Sequence, residues 1–274
     1  MSIQSIHPTA IIDKSAQIGE NTTIGAYCVI GPQVVLHDNV EVMSHVCIDG
    51  ATTIGENTRI FPFAVIGFAP PDLKYRGENS KLIIGKNNVL REHVTIHTGT
   101  AVDRNETVIG DNCLLMANVH IAHDCILGNN IIMANCAALG GHVTIDDFAI
   151  IGGLSAIQQR VRIGAYAIVG GMSGVDGDLI PYGRAIGERA RLTGLNTIGL
   201  KRRNISNAQI SNMNKAYKQI FLENYDVFDQ RVKDVANEFS DDEYIMKIVS
   251  FVNNNSNKSL CKPSNSEDNQ QNAA

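Results

Sequence analysis

The chain has 274 residues, with 23 Lys and Arg against 28 Asp and Glu, a formal charge of −5 that argues against general nucleic-acid binding. Its six cysteines form no CxxC pair and read as reduced core thiols of a cytosolic protein, not as a disulfide framework or zinc site. The opening MSIQSIHPTAII lacks a basic segment followed by an apolar one, and no apolar run approaches the ~20 residues of a membrane span.

From the start, an aliphatic residue returns every sixth position: Ile6, Ile12, Ile18, Ile24, Ile30, Leu36, Val42, Ile48, Ile54, Ile60 and Ile66. A period of six matches neither an α-helix nor a simple strand, so it predicts a repeat architecture, a parallel β-helix in which three hexapeptides make one triangular coil. The aliphatic residue points inward. A small or branched residue four places on (Ala10, Thr22, Cys28, Val34) fits beside the corner, and Gly, Asn or Asp near the turn accept positive φ. Low aromatic content without Trp suits so narrow an interior.

Two segments break the period. Phe68–Leu82 carries paired prolines and charges, and Thr98–Thr107 shifts the phase, because Ile96 and Ile109 are separated by a number that is not a multiple of six. Loops ejected from a regular solenoid commonly carry binding residues. The longest unbroken run then goes from Ile109 to Val175 and ends near Pro181. After Ser206, a predicted N-cap, Ile210, Met213, Tyr217, Ile220 and Phe221 follow helical spacing, and further helices are predicted over about 226–239 and 241–253. The predicted organisation is a β-helix over 1–187, a helical region over 188–253 that covers the open end of the solenoid, and a polar, disordered tail over 254–274.

In such a coil, residues eighteen apart lie above one another. His123 therefore stacks under Gly141 and then Gln159, and Asp124 under His142. With His120 nearby, two imidazole positions, a carboxylate and a glycine converge on one corner. His7 and His37 read as surface residues, and His45, His93 and His97 receive no role. Two chemistries compete for the cluster. Three histidines could hold a metal, as on the β-helix of gamma-class carbonic anhydrases. Alternatively His123 is a general base oriented by Asp124, with the Gly141 N–H receiving a developing oxyanion. A set of solvated side chains is the third possibility.

The strings NVHIAHDCILGNN, GGHVTIDDFAIIGG and GLKRR, with Asp72-Leu73-Lys74-Tyr75 and Arg91-Glu92-x-Val94-Thr95-Ile96-His97, make the chain resemble the acyl-carrier-protein–UDP-N-acetylglucosamine O-acyltransferases, which start lipid A synthesis. The resemblance implies a left-handed β-helix, a homotrimer with clefts between subunits, a cytoplasmic location, and transfer of a 3-hydroxyacyl group from acyl carrier protein to the sugar 3-hydroxyl. It implies no metal and no bound cofactor, since the phosphopantetheine arrives on the donor protein.

By the same resemblance His123 is the catalytic base, Asp124 its partner and Gly141 the oxyanion donor. Asp72, Lys74, His120, His142 and Gln159 match substrate-binding positions; Asn196, Arg202 and Arg203 match positions near the nucleotide, where arginine suits phosphate. Gly171 matches the position that limits acyl-chain depth and implies a donor of roughly fourteen carbons, each covered methylene contributing about 0.8 kcal/mol. The chain departs from the family's pattern at Ile198, where a carboxylate is common, and at Gln158, where a histidine is. Lys201, Arg202, Arg203, Lys215 and Lys218 form the expected docking patch for an acidic carrier protein. A relative using a 3-amino sugar, and an N-acyltransferase acting on a later glucosamine intermediate, are the rival activities within the fold.

Overall fold

The computed structural model describes residues 5–254, 256 and 258–264. Among the described residues three sheets of eleven, nine and eight strands, parallel except for the last strand of the first, run the length of the solenoid, and successive coil strands visit them in rotation. Most strands are two residues long, an outward residue followed by a buried aliphatic one, as in Val35–Leu36, Ile126–Leu127 and Thr144–Ile145. Register shows why the period is six. Ser5 pairs with Thr23, Val35 with Thr53 and His120 with Ala138, each one full coil of eighteen residues on. Stacked Ile, Leu and Val side chains fill the interior from Ile24 to Val175. Ile6 stays exposed because no coil lies outside it.

Each corner turns through a residue in the left-handed region. Asn fills it in the early coils (Asn21, Asn39, Asn57), as its short amide favours that conformation, but Phe63, Leu154 and Met172 occupy it too. Side chains at one corner stack from coil to coil. Tyr27, His45, Phe63 and His93 form such a ladder, with 5.1 Å between successive ring centroids, close to the ~4.8 Å spacing of neighbouring strands. That ladder accounts for His45 and His93.

The two insertions are visible as jumps in register. Ile60 pairs with Leu90, thirty residues on, so the first insertion adds twelve. Leu90 pairs with Leu115, twenty-five residues on, so the second adds seven. Both leave the coil at the corner after the nine-stranded sheet, the first after Val65–Phe68 and the second after Thr95–His97.

Beyond Val175 the structure differs from expectation in three places. A division at 187/188 would cut a β-hairpin, because Gly183–Ile186 pairs antiparallel with Arg191–Leu195 and so extends the eleven-stranded sheet. A short helix α1, Thr197–Arg202, follows directly. Then come α2, Asn207–Phe221, capped by Ser206, α3, Phe228–Glu238, and α4, Glu243–Asn253; α2 packs on Arg191–Leu195 and on the other two.

The predicted disordered tail is also corrected. Ser259 accepts the Asp178 N–H, Cys261 donates to Asp178, and Lys262 accepts from Leu192, so this strap is bonded onto the solenoid end. The pairing is made by backbone groups, which composition does not reveal. Residues 265–274 lie outside the described residues. Among the cysteines, Cys28, Cys113, Cys125 and Cys261 are buried free thiols, but Cys136 is exposed on a left-handed corner and is not a core thiol.

Candidate active site

The corner between strands His120–Ile121 and Ile126–Leu127 carries the site. Asp124, His142 and Arg160 are its left-handed residues in three successive coils, with φ of 59°, 63° and 66°. Backbone bonds from His142 N–H to His123 and from Arg160 N–H to Gly141 tie the coils together there. The sharp turn throws the preceding residue of each coil (His123, Gly141, Gln159) outward along one edge.

His123 is 9% exposed and Asp124 fully buried. The His123 Nδ1–H donates to Asp124 Oδ2 at 2.8 Å, which leaves Nε2 free of that bond, 3.5 Å from Asp72 Oδ2. Asp72 comes from the first insertion, where its other oxygen accepts the Lys74 N–H at 2.8 Å and fixes the turn. The second insertion folds back over Asp124. Thr100 donates its N–H at 3.0 Å and its hydroxyl at 2.6 Å to the carboxylate, while Arg104 Nη1 reaches the Asp124 carbonyl at 3.1 Å. Burial works to raise the Asp124 pKa, but the bonds from Thr100 and His123 outweigh it and hold the carboxyl below its usual range.

The His123 ring lies directly on Gly141. A Cβ built there would come within 2.6 Å of Cε1, so only glycine admits this ring position. Among the described residues no acceptor takes the Gly141 N–H, which stays free beside the imidazole. His142 meets His123 edge-on, centroids 4.9 Å apart, and binds Asp103 Oδ2 through Nδ1 at 2.7 Å.

Of the residues singled out from sequence, His123, Asp124, Gly141, His142 and Asp72 therefore meet at one point. His120 stands beside them on its strand, its Nδ1 2.8 Å from the Thr95 hydroxyl. Gln159 is exposed at the next coil of the same edge, and Lys74 is exposed on the first insertion. Gln158 accepts a hydrogen bond from Lys258 of the C-terminal strap at 2.7 Å.

The remaining residues are elsewhere. Gly171 turns a different corner, between Ile168–Val169 and Gly174–Val175. Asn196, Arg202 and Arg203 belong to α1 beside the third corner. There Asn196 caps the helix by accepting the Gly199 N–H at 3.0 Å and donates to the Tyr166 carbonyl, and Arg203 lies 4.0 Å from the Phe148 ring centre. Ile198 is exposed on the same helix.

Three residues of the site were not anticipated: His97, Thr100 and Asp103. The His97 ring packs edge-on to His120 with centroids 5.4 Å apart. Counting by eighteen misses it, because the seven-residue insertion lies between the two. Desolvation pushes the pKa of both His97 and His120 down.

His123, Asp124 and His142 also bring ligand-type atoms within 4.8 Å of one another. Asp124 is already engaged by Thr100 and His123, and the Nδ1 atoms of His123 and His142 are held by Asp124 and Asp103, which leaves their Nε2 atoms open. An ion drawing on Asp124 would have to displace its bonds from Thr100 or His123. The arrangement suits a hydrogen-bonded proton acceptor better than a cation site.

A profile of bacterial transferase hexapeptide repeats matches residues 5–38, 15–50 and 106–141, and one for the second domain of UDP-N-acetylglucosamine O-acyltransferases matches 178–261. The acyl-[acyl-carrier-protein]–UDP-N-acetylglucosamine O-acyltransferase of Bartonella quintana is 42% identical over 98% of this chain and 97% of its own. That of Rickettsia typhi is 48% identical over 95% and 98%. A crystal structure of a UDP-N-acetylglucosamine acyltransferase superposes with a TM-score of 0.91 at 39% identity, covering 95% of this chain and all of that one. The Francisella novicida enzyme gives 0.90 at 35% identity, covering 96% and 95%. The solenoid is thus a left-handed parallel β-helix, and the chain belongs to the acyl-[acyl-carrier-protein]–UDP-N-acetylglucosamine O-acyltransferase family.

Proposed function

We propose that this chain moves a 3-hydroxyacyl group from the thioester of acyl carrier protein to the 3-hydroxyl of UDP-N-acetylglucosamine, with His123 as general base. The observation that carries this reading is the His123 ring, held by buried Asp124 at Nδ1 and lying on the Gly141 backbone. Nε2 takes the proton of the sugar hydroxyl as its oxygen attacks the thioester carbonyl. Asp72 Oδ2, 3.5 Å from Nε2, stands beside that point as an acceptor for a second donor of the sugar. Negative charge on the former carbonyl oxygen is met by the Gly141 N–H, in a pocket where a fixed donor counts for more than in water. Collapse breaks the C–S bond, and the His123 imidazolium returns its proton to the departing thiolate. Asp124 stabilises the imidazolium between the two transfers. A metal has no task in this sequence, and the phosphopantetheine belongs to the donor.

The site extends over two copies of the chain. Gly171 and the His123 edge lie on different corners of one triangular solenoid, so an acyl chain measured by Gly171 while its carbonyl sits at His123 needs the Gly171 corner of a neighbour. A homotrimer with clefts between subunits satisfies this. For the acidic donor, Lys201 and Arg202 in the last turn of α1, with Lys218 on α2, remain the exposed cations, whereas Lys215 is paired with Glu238 and Arg203 is laid on Phe148. Among the described residues no helix is long and apolar enough to cross a membrane.

The test is an assay with purified 3-hydroxyacyl carrier protein and UDP-N-acetylglucosamine, with and without exhaustive chelation. The expected result is one acyl ester per sugar nucleotide at a rate indifferent to chelator. No transfer, or a rate that follows metal content, would overturn the reading.

A further inference from the structure

We infer that Asp103 is a positioning residue that holds His142 with its Nε2 toward the acceptor, an inference that rests on the acyltransferase reading above. The second insertion exists as seven residues beyond a regular coil, and several of its bonds serve one corner. Thr100 and Thr107 bond Asp124, its carboxylate and its N–H respectively. The Asp103 and Asn105 N–H groups both return to the Thr100 carbonyl, at 3.3 and 3.0 Å, making a tight turn with Asp103 at its outer end. That turn carries Asp103 Oδ2 to 2.7 Å from His142 Nδ1, across 39 positions of sequence.

The geometry shows why a second carboxylate is needed. Two imidazoles meet at this corner, ring planes at 89°, and both have a nitrogen near the one buried carboxylate. His123 Nδ1 is 2.8 Å from Asp124 Oδ2, and His142 Nδ1 is 3.8 Å from the same oxygen. Without Asp103, His142 would compete with the base for Asp124. With it, each imidazole has its own acceptor, and Nδ1 of His142 is the nitrogen that carries the proton. Nε2 is then the nitrogen left for a ligand, and among the described residues it has no hydrogen-bond partner. A histidine whose tautomer and orientation are fixed by a carboxylate behind it is a common means of aiming the other nitrogen. Asp103 retains substantial solvent contact, so its pairing does little for stability. Its effect lies in orientation.

The experiment combines kinetics with ¹⁵N NMR of histidine-labelled protein. In Asp103→Ala, kcat/KM for acyl transfer should fall about ten- to a hundredfold, the usual range for loss of such an outer partner. Asp103→Glu should restore most of it, and melting should barely move. Added to His142→Ala, the Asp103→Ala change should cost nothing further, because its effect passes through that ring. The His142 ring-nitrogen resonances should move in Asp103→Ala while those of His7 stay. Losses that multiply in the double variant, or unmoved His142 resonances, would overturn the role of Asp103. If wild-type protein transfers no acyl group, the acyltransferase reading fails, and the resonances alone decide whether Asp103 holds His142.

Discussion

The imidazole of His123 rests on the backbone of Gly141, with room for no side chain between them: a Cβ at Gly141 would lie 2.7 Å from Nε2. In the proposed mechanism this single contact joins the proton acceptor to the N–H that meets the oxyanion. Gly141→Ala must therefore push the ring off its bond to Asp124 or distort the corner. We expect a loss of about 10²–10³ in kcat, within the range that a displaced general base costs, with the solenoid intact because the corner backbone is not in a region reserved for glycine. Steady-state kinetics beside a melting curve check it; near-normal kcat in a folded variant would separate Gly141 from catalysis.

Acid should weaken the fold in two windows. Desolvation lowers the folded-state pKa of His97 and His120, while the unfolded chain takes up protons near pH 6.5. Below that value the unfolded state holds more protons, so stability falls as pH drops toward the lowered folded values. Asp124 acts further down. Its lowered pKa gives stability that is present above the ordinary carboxylate range and lost as pH falls through the folded value. Urea midpoints at pH 7.5 and 5.5 test the first window. The midpoint should drop in wild type and drop less in His97→Asn/His120→Asn; an equal drop in both would contradict the assignment.

At Gly171 a Cβ would meet the Gly153 carbonyl oxygen at 3.3 Å and the Gly153 nitrogen at 4.0 Å. The position can therefore take a larger side chain if the Gly153 carbonyl gives by a few tenths of an ångström, and in the proposed mechanism that side chain would shorten the path of the acyl chain. Gly171→Met should shift preference toward donors about four carbons shorter, since methylenes forced against a side chain lose the ~0.8 kcal/mol each gains from apolar cover. Met172 is exposed next to it and can flex into part of the same space. kcat/KM across C10 to C16 donors reads the shift; superimposable profiles would mean the groove does not run past Gly171.

How much of this was legible in sequence depended on whether eighteen-residue counting held. His123, Gly141 and Gln159 fell into one column because no insertion separates them, and Asp124 under His142 followed by the same arithmetic. His97 was invisible to that count: Thr95 pairs with His120 across twenty-five residues, so the phase is lost between them. Thr100 and Asp103 sit inside the insertion itself, where no period constrains where a side chain goes. The strap at Ser259–Lys262 was missed for another reason. It is held by main-chain bonds to Asp178 and Leu192, and polar side chains conceal such pairing. Asn196 shows the converse, since a motif match points to the nucleotide while the side chain visibly caps α1.

The most direct measurement is turnover by His123→Ala with a carrier-protein donor and UDP-N-acetylglucosamine, alongside its melting curve and oligomeric state. His123 is at the outer edge of a corner and contributes nothing to the aliphatic column inside, so the variant should fold, assemble and melt as wild type does. Its turnover should fall by about 10²–10⁴, the share a general base supplies. A folded variant that keeps more than about a tenth of wild-type turnover would contradict the central claim.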